Sequence, residues 1–221
     1  EFRADFSASA RQIALVMVLA AAVLFATAPY VSRVMNFGAT QLQVDQFSLA
    51  LQGYLPSLAV YSFLFVVQRA FYAISDTRTP FVFTSVQMAL VIALALPLLM
   101  LPEAYIGFGY AVVWSFSTIL QTILATWMLR RRLGRIDGRR ILASFSRYAV
   151  AAIPALAGGL GIVWGLGRVS SEPNALIAIG FAVIVAAVMG VVYVVALRLL
   201  RSPELAELTG FIARKLGKAR P

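Results

Sequence analysis

The sequence predicts an all-α protein, a polytopic membrane helix bundle with six transmembrane helices. Of its 221 residues, 61% are hydrophobic and only 13% are charged, whereas soluble domains carry about 25% charged residues. Six stretches lack Asp, Glu, Lys and Arg over the roughly 20 residues that a helix needs to cross a bilayer. These stretches are continuously apolar rather than alternating, which argues against a β-barrel.

The six predicted spans are Gln12–Ser32, Gln46–Gln68, Thr79–Pro102, Ala104–Leu129, Tyr148–Gly167 and Pro173–Leu197. Each must be helical, because a backbone in hydrocarbon has to satisfy its own hydrogen bonds. A tight turn at Leu101-Pro102-Glu103-Ala104 joins the third and fourth spans into a hairpin.

The spans divide the chain into four parts. Residues 1–132 hold four spans, and residues 133–147 form a basic loop with an interfacial helix. Residues 148–200 form a terminal hairpin. Residues 201–221 form a basic amphipathic tail, which begins at Ser202-Pro203-Glu204 and places Leu205, Leu208, Ile212 and Leu216 on one helical face. Such a tail is expected to lie on anionic membrane lipids.

Basic residues are distributed unevenly between the two sides. Seventeen of the 19 Lys and Arg residues fall on the side of the chain ends, and only Arg33 and Arg168 fall on the other. The positive-inside rule then places both ends in the cytoplasm. The net charge of +10 is thereby explained without nucleic acid as a partner.

Several kinds of chemistry are excluded. The chain has no Cys and no His, so thiolate nucleophiles, Ser-His-Asp triads and His or Cys metal sites are absent. No span carries a charged residue in its middle, where proton relays and ion pathways usually have one. We therefore expect a protein that is not an enzyme and has neither a cofactor nor a metal. Because the sequence starts at Glu1, we also expect a segment of a longer protein.

Polar and small residues within the spans have two interpretations each. Gln52, Gln87 and Gln121 favour hydrogen bonding between helices over a polar, substrate-lining cavity. Two rows of small residues favour close helix packing in the terminal hairpin, the alternative being a smooth apolar groove for a lipid tail. These rows are Ala157, Gly161 and Gly165 in the fifth span, and Ala182, Ala186 and Gly190 in the sixth.

The most distinctive motif runs from Arg69 to Pro80, Arg-Ala-Phe-Tyr-Ala-Ile-Ser-Asp-Thr-Arg-Thr-Pro. Phe71 and Tyr72 are aromatic residues of the type found at the membrane interface. Asp76 is suited to an Asx-turn and to an ion pair with Arg69 or Arg78.

Thr79 is suited to cap the third span, with Pro80 at the first helical position. An ordinary charged loop would explain a turn, but not this combination of residues.

This motif resembles the RAFYA–DTRTP signature of the MurJ/MviN lipid II flippase family of bacterial cell-wall synthesis. The similarity extends to Pro29 near the end of the first span, to Asp45 in the next loop, and to Gly107 and Gly109 at the start of the fourth span. Matched in this way, the chain corresponds to the last six of the family's fourteen helices.

The resemblance implies a MATE-like transporter of the MOP superfamily that flips lipid II, an undecaprenyl-pyrophosphate glycopeptide, across the inner membrane by alternating access. The four spans of residues 1–132 would belong to its second bundle and would pack against preceding helices of the same transporter. The terminal hairpin would border a groove for the polyprenyl tail. Some members bind sodium through Asn and Asp near the third and fourth spans, but the third span here has no Asn, Asp or Glu.

For the motif, we expect a hinge and head-group entry zone. Arg69 and Arg78 would attract phosphate, and Asp76 would fix the loop. A purely structural role of the motif is the alternative. Two other functions stay open: a different MOP-superfamily exporter, for polysaccharide lipids or drugs, and a membrane scaffold whose tail recruits cytoplasmic cell-wall regulators.

Overall fold

The structure is a computed structural model that describes residues 2–36, 38–133, 138–170 and 173–200. These ranges contain long α-helices and no β-strand. The helices are α1 Phe2–Met35, α2 Gln41–Ala73, α3 Arg78–Ala95, α4 Glu103–Leu133, α5 Gly138–Val169 and α6 Ala175–Leu199. All are long and apolar enough to cross a membrane, α3 together with the short helical turn that extends it. The predicted all-α bundle of six spans is therefore confirmed.

Helices α2, α3 and α4 pack together around one apolar core. Its buried members come from all three helices and lie toward the end of the bundle where α2 ends and α3 begins. They are Leu64, Val67, Ala70, Phe71, Phe83, Ala125 and Leu129. This end also carries Arg69, Arg78 and Arg130–Arg132, and we call it the arginine-rich end.

Helix α1 joins this group to the remaining two helices. It packs against α2 on one side and against both α5 and α6 on the other. In the described residues, neither α5 nor α6 packs against α3 or α4. The second core, shared by α1, α5 and α6, is rich in alanine and is closed by Tyr148, Met189 and Tyr193. The Tyr193 hydroxyl donates to the Leu15 carbonyl across 3.0 Å, which satisfies a polar group that would be costly if buried alone.

Two boundaries differ from the sequence-based expectation. Helix α3 ends at Ala95 and continues as a 3-10 turn over Leu96–Met100, because Pro97 cannot donate the next α-helical hydrogen bond. Helix α5 begins at Gly138 and runs without a break through residue 147. The predicted interfacial helix is therefore the first part of α5. The predicted tail, residues 201–221, lies outside the described residues.

Candidate functional site

The connection between α2 and α3 is a compact turn built by the motif itself. At the end of α2, the Asp76 N–H donates to the Phe71 carbonyl and the Ser75 N–H donates to the Tyr72 carbonyl, both at 3.0 Å. This pair of bonds is a Schellman motif, which closes a helix through one residue in the left-handed conformation. That residue is Ser75, with φ of +57°. The chain therefore passes from α2 into α3 through a tight turn.

Asp76 caps the start of α3. One of its carboxylate oxygens accepts from the Thr79 N–H at 3.1 Å, and the other accepts from the Thr79 hydroxyl at 2.6 Å. A side chain that accepts from the N–H three residues ahead is the usual N-cap arrangement. The expectation that Thr79 caps the third span is thus wrong. Thr79 lies inside the first turn, where its two donors serve the Asp76 carboxylate.

Asp76 pairs with Arg132 of α4. An Arg132 guanidinium nitrogen lies 3.1 Å from the Asp76 carboxylate. The expected pairing of Asp76 with Arg69 or Arg78 is wrong, because the end of α4 brings a different arginine over the turn. The hydrogen bonds from Thr79, with a smaller contribution from Arg132, hold the pKa of Asp76 below its ordinary value of 3.8. Asp76 therefore ties three helices together as a carboxylate.

The aromatic pair of the motif divides between core and surface. Phe71 is fully buried and its ring lies 5.9 Å from that of Phe83 of α3. Tyr72 is exposed, as an interfacial ring would be. Thr79 and Pro80 are buried beneath the turn. The structure thus brings Phe71, Asp76, Thr79 and Pro80 together into one packed connector, with Tyr72 on its outside.

Arg69 and Arg78 both lie exposed beside this connector. The Arg69 guanidinium lies 4.7 Å from the centre of the Phe65 ring one helical turn earlier, a cation–π arrangement that leaves its N–H donors available. Because Asp76 is engaged by Arg132, its charge does not cancel that of Arg69 or Arg78. Among the described residues, the arginine-rich end therefore presents cations whose donors have no hydrogen-bond acceptor, at the end of α2 and the start of α3.

Gln52 and Gln121 lie in helix–helix contacts. The Gln52 amide donates to the Phe25 carbonyl of α1 at 3.2 Å. The Gln121 amide donates to the Thr84 hydroxyl of α3 at 3.3 Å, and Gln87 of α3 donates to the Thr118 hydroxyl of α4 at the same distance. These contacts favour the interpretation as links between helices. The Gln121 carbonyl oxygen is buried without a partner in the described residues.

The two small-residue rows do not form the close contact of the α5–α6 hairpin. A Cβ built on Gly161, Gly165 or Gly190 would meet no other atom within 4 Å. Ala157 is exposed, whereas Ala182 and Ala186 are half-buried. Close packing at these three glycines was therefore a wrong prediction. The close approach is instead at Gly159, where a Cβ would overlap the Met189 sulfur and would lie 2.8 Å from Met189 Cγ and 3.3 Å from the Cβ of Ala26 of α1.

Comparison with known families identifies the family to which the chain belongs. The model of the lipid II flippase MurJ matches residues 1–184, most of the chain. The chain belongs to the MurJ lipid II flippase family. Neither the curated proteins nor the solved structures gave a match. Together with its apolar helices, the family assignment makes the chain a multi-pass membrane protein of a transporter family.

The described residues contain no group of three or more acidic side chains that could hold a metal ion. Within the α3–α4 contact, the polar groups are amides and hydroxyls joined to one another, Gln87 with Thr118 and Gln121 with Thr84.

Sequence reasoning missed two features of the candidate site. Arg132 lies in a run of three arginines, and only topology could have placed that run next to Asp76. Thr84 and Thr118 are hydroxyl partners of the glutamines, and their one-turn spacing from Gln87 and Gln121 on the same helices was the available signal.

Proposed function

We propose that this chain is the C-terminal part of a lipid II flippase and moves the precursor from the inner to the outer leaflet by alternating access. The observation that carries the proposal is the match of the MurJ family model over residues 1–184. In the proposed orientation both ends of the chain lie in the cytoplasm of a bacterium, because 17 of the 19 basic residues lie on that side. The arginine-rich end then faces the compartment in which lipid II is made.

The arginine-rich end is proposed to attract the pyrophosphate of lipid II. A phosphate needs charge-assisted hydrogen bonds, which arginine supplies best as a pair of parallel donors. Arg69 and Arg78 are suited to this because both are exposed and because Asp76 is paired with Arg132 instead. In this proposal the connector carries one cation on each side and acts as the hinge between α2 and α3. Gln52 and Gln121, proposed as substrate contacts, would have to exchange their present helix partners for the head group.

The polyprenyl tail is proposed to lie along the α5–α6 hairpin. Open space beside Gly161, Gly165 and Gly190 supports this, since a row without side chains leaves a smooth channel in an apolar surface. Ala157, Ala182 and Ala186 continue the two rows. A flexible isoprenoid chain could follow such a channel by dispersion contacts without requiring polar partners.

A photo-crosslinking experiment on the full-length protein tests the groove. A crosslinking residue at Gly161 should capture a lipid II analogue labelled in its tail. The matched control is the same residue at Ile92 of α3, which is also exposed and apolar but lies on the other side of the bundle. Equal capture at the two positions, or none at Gly161, would contradict the groove.

Substitution of the two arginines tests the head-group zone. The double variant Arg69→Gln with Arg78→Gln should lower the exposure of lipid II on the outer face of cells roughly tenfold, as expected for the loss of charged hydrogen bonds. Arg168→Gln, at the opposite end and stacked on Trp164, is the control and should leave exposure unchanged. Full activity of the double variant at normal protein level would assign the motif a structural role only.

A further inference from the structure

A polar pocket lies at the opposite end of the bundle, which we call the arginine-poor end. It is a cavity of about 470 Å³ between the end of α1, the start of α2 and the start of α4. Residues of α2, of α4 and of the connection between α1 and α2 line it, among them Asn36, Gln46, Phe47 and Glu103. None of these residues belongs to the motif or to the tail groove.

The pocket lies where α2 and α4 pack against each other. At Gly53 the two helices are so close that a Cβ would lie 2.8 Å from that of Ala111. The Ser115 hydroxyl also donates to the Gly53 carbonyl across 2.6 Å. Beside the pocket the helices are still in contact, since a Cβ on Gly107 would lie 3.7 Å from that of Ala50, an ordinary van der Waals distance. The α2–α4 contact thus forms one wall of the pocket, with Ala50 and Gly107 in it.

The charges around the pocket leave one carboxylate available. On its rim, the Arg33 guanidinium donates to the side-chain oxygen Oε1 of Gln41, and the side-chain nitrogen Nε2 of Gln41 donates to the Asp45 carboxylate at 2.7 Å. Among the residues that line the pocket, Glu103 is the charged one. Within the described part of the chain, neither Glu103 nor Gln46 has a side-chain partner.

This set of groups selects the chemistry of a ligand. A free carboxylate favours a protonated amine and disfavours phosphate. The Gln46 side-chain amide can both donate to and accept from peptide groups. The Asn36 amide nitrogen already donates to the Ser32 carbonyl at 3.0 Å, so Asn36 offers chiefly its side-chain oxygen as an acceptor. The half-exposed Phe47 ring offers an apolar wall for an alkyl chain. Pockets of about 300–1,000 Å³ suit ligands of drug size, so the cavity fits a short peptide rather than a whole lipid-linked precursor.

We propose that this pocket binds the peptide part of the lipid II head group on the side where the precursor is released, with Glu103 accepting from a protonated amine of that peptide. The proposal rests on the proposed flippase function and on its orientation. The two ends would serve two successive stages: the pyrophosphate is attracted at the arginine-rich end on entry, and the peptide is held at the arginine-poor end on release.

Binding of a soluble head group tests the proposal. The probe is a fluorescent disaccharide–pentapeptide that carries a free amine but neither pyrophosphate nor prenyl tail, titrated into the purified full-length protein in detergent. Glu103→Gln should weaken its binding about tenfold. Acetylating the peptide amine should weaken binding to the wild type by a similar factor and add no further loss in Glu103→Gln. Asp45→Asn, which removes a carboxylate on the rim, is the matched control and should bind as the wild type does.

Three results would overturn the proposal: no binding to the wild type, equal affinity of the wild type and Glu103→Gln, or equal binding of the disaccharide without its peptide. The last would assign the pocket to the sugar. The proposed function is measured separately, as lipid II exposure in cells. If lipid II is exposed in cells but the probe does not bind the purified protein, the peptide pocket is rejected and the flippase function stands. If the wild-type chain does not expose lipid II in cells, the flippase function is rejected.

Discussion

The Asp76 side chain forms both a helix cap and an ion pair, and the Asp76 backbone N–H closes the turn between α2 and α3. Its carboxylate accepts hydrogen bonds from the Thr79 N–H and hydroxyl and pairs with the Arg132 guanidinium. The cap is the larger contribution. An N-cap contributes about 1 kcal/mol and up to roughly 2, whereas a pair with a largely exposed arginine contributes about 0–1 kcal/mol, and Arg132 is 57% exposed.

Substitutions at Asp76 should separate these two contributions. Asp76→Ala should lower the stability of the protein by about 1–2 kcal/mol because it removes the cap. Asp76→Asn keeps a good cap and should cost less than about 1 kcal/mol, about the same as Arg132→Gln. Thermal unfolding in detergent measures the difference. Equal losses for Asp76→Ala and Asp76→Asn would show that the charge, not the cap, dominates.

The pH dependence of stability follows from the lowered pKa of Asp76. A carboxyl group whose pKa is lower in the folded state stabilises fully above its ordinary pKa of 3.8 and loses that contribution as the pH falls through the lowered value. The melting temperature of the wild type should therefore fall more steeply below about pH 4 than that of Asp76→Asn, which does not titrate. Parallel curves for the two proteins would contradict the assignment.

Ser75 is the strained residue of the connector. Its φ of +57° lies where glycine is favoured and other L-residues are disfavoured by about 1–2 kcal/mol. Ser75→Gly should therefore raise the melting temperature, and Ser75→Val should lower it because a β-branched residue fits this region least. Thermal unfolding with both variants checks the sign, and a lower melting temperature for Ser75→Gly would count against the Schellman turn.

For single residues, the sequence predicted the kind of local structure better than it predicted which side chains pair with each other. An Asp in a short loop before Thr-Arg-Thr-Pro indicates a turn, and the turn is there. The choice of Arg132 over Arg69 or Arg78 depends on how the end of α4 lies over the loop, which spacing along the chain does not encode.

The lengths of the helices follow from the apolar stretches of the sequence, but the contacts between the helices do not. Four of the six predicted spans lie within the described helices, and the other two, Thr79–Pro102 and Pro173–Leu197, extend two residues beyond one end of theirs. The agreement is close because an uninterrupted apolar stretch in lipid has few alternatives to helix. The face that each helix presents was harder to predict. Rows with small residues every four positions occur both at contacts and at open surfaces, and here a glycine outside the rows, Gly159, forms the contact.

Two alanine substitutions in α5 test this packing. Gly159→Ala should destabilise the protein by about 1–3 kcal/mol, since the added methyl group overpacks the contact with Met189 and Ala26. Gly161→Ala, two residues away and facing open space, is the matched control and should change stability little. Thermal unfolding of the two variants side by side measures this, and equal stability would place the close approach elsewhere.

In the molecule as a whole, α1 connects two separate apolar cores. Helix α1 packs against α2 and also against the α5–α6 hairpin, and in the described residues the hairpin does not touch α3 or α4. Relative movement of the hairpin and the α2–α4 group would therefore be concentrated at α1. The sequence predicted the number of helices and their alternation, but not this arrangement, since the apolar faces of all six helices are alike in composition.

The absence of cysteine from these 221 residues makes orientation measurable with single substitutions. With the arginine-rich end in the cytoplasm, Arg131→Cys should resist a membrane-impermeant thiol reagent in intact cells, whereas Tyr105→Cys, near the start of α4, should react. Both should react once the cells are permeabilised. The reverse pattern would invert the orientation, and with it the assignment of the two ends to entry and release.

Outward movement of lipid II by the full-length protein can be measured as exposure of lipid II on the outer face of cells. Cells depleted of their own lipid II flippase would receive the full-length gene, and lipid II accessible from outside would be counted with an impermeant enzyme that cleaves it. Exposure and growth should return together, and both should fall with Arg69→Gln plus Arg78→Gln. Growth and exposure that stay at the depleted level while the protein is present in the membrane would contradict the proposed flippase function.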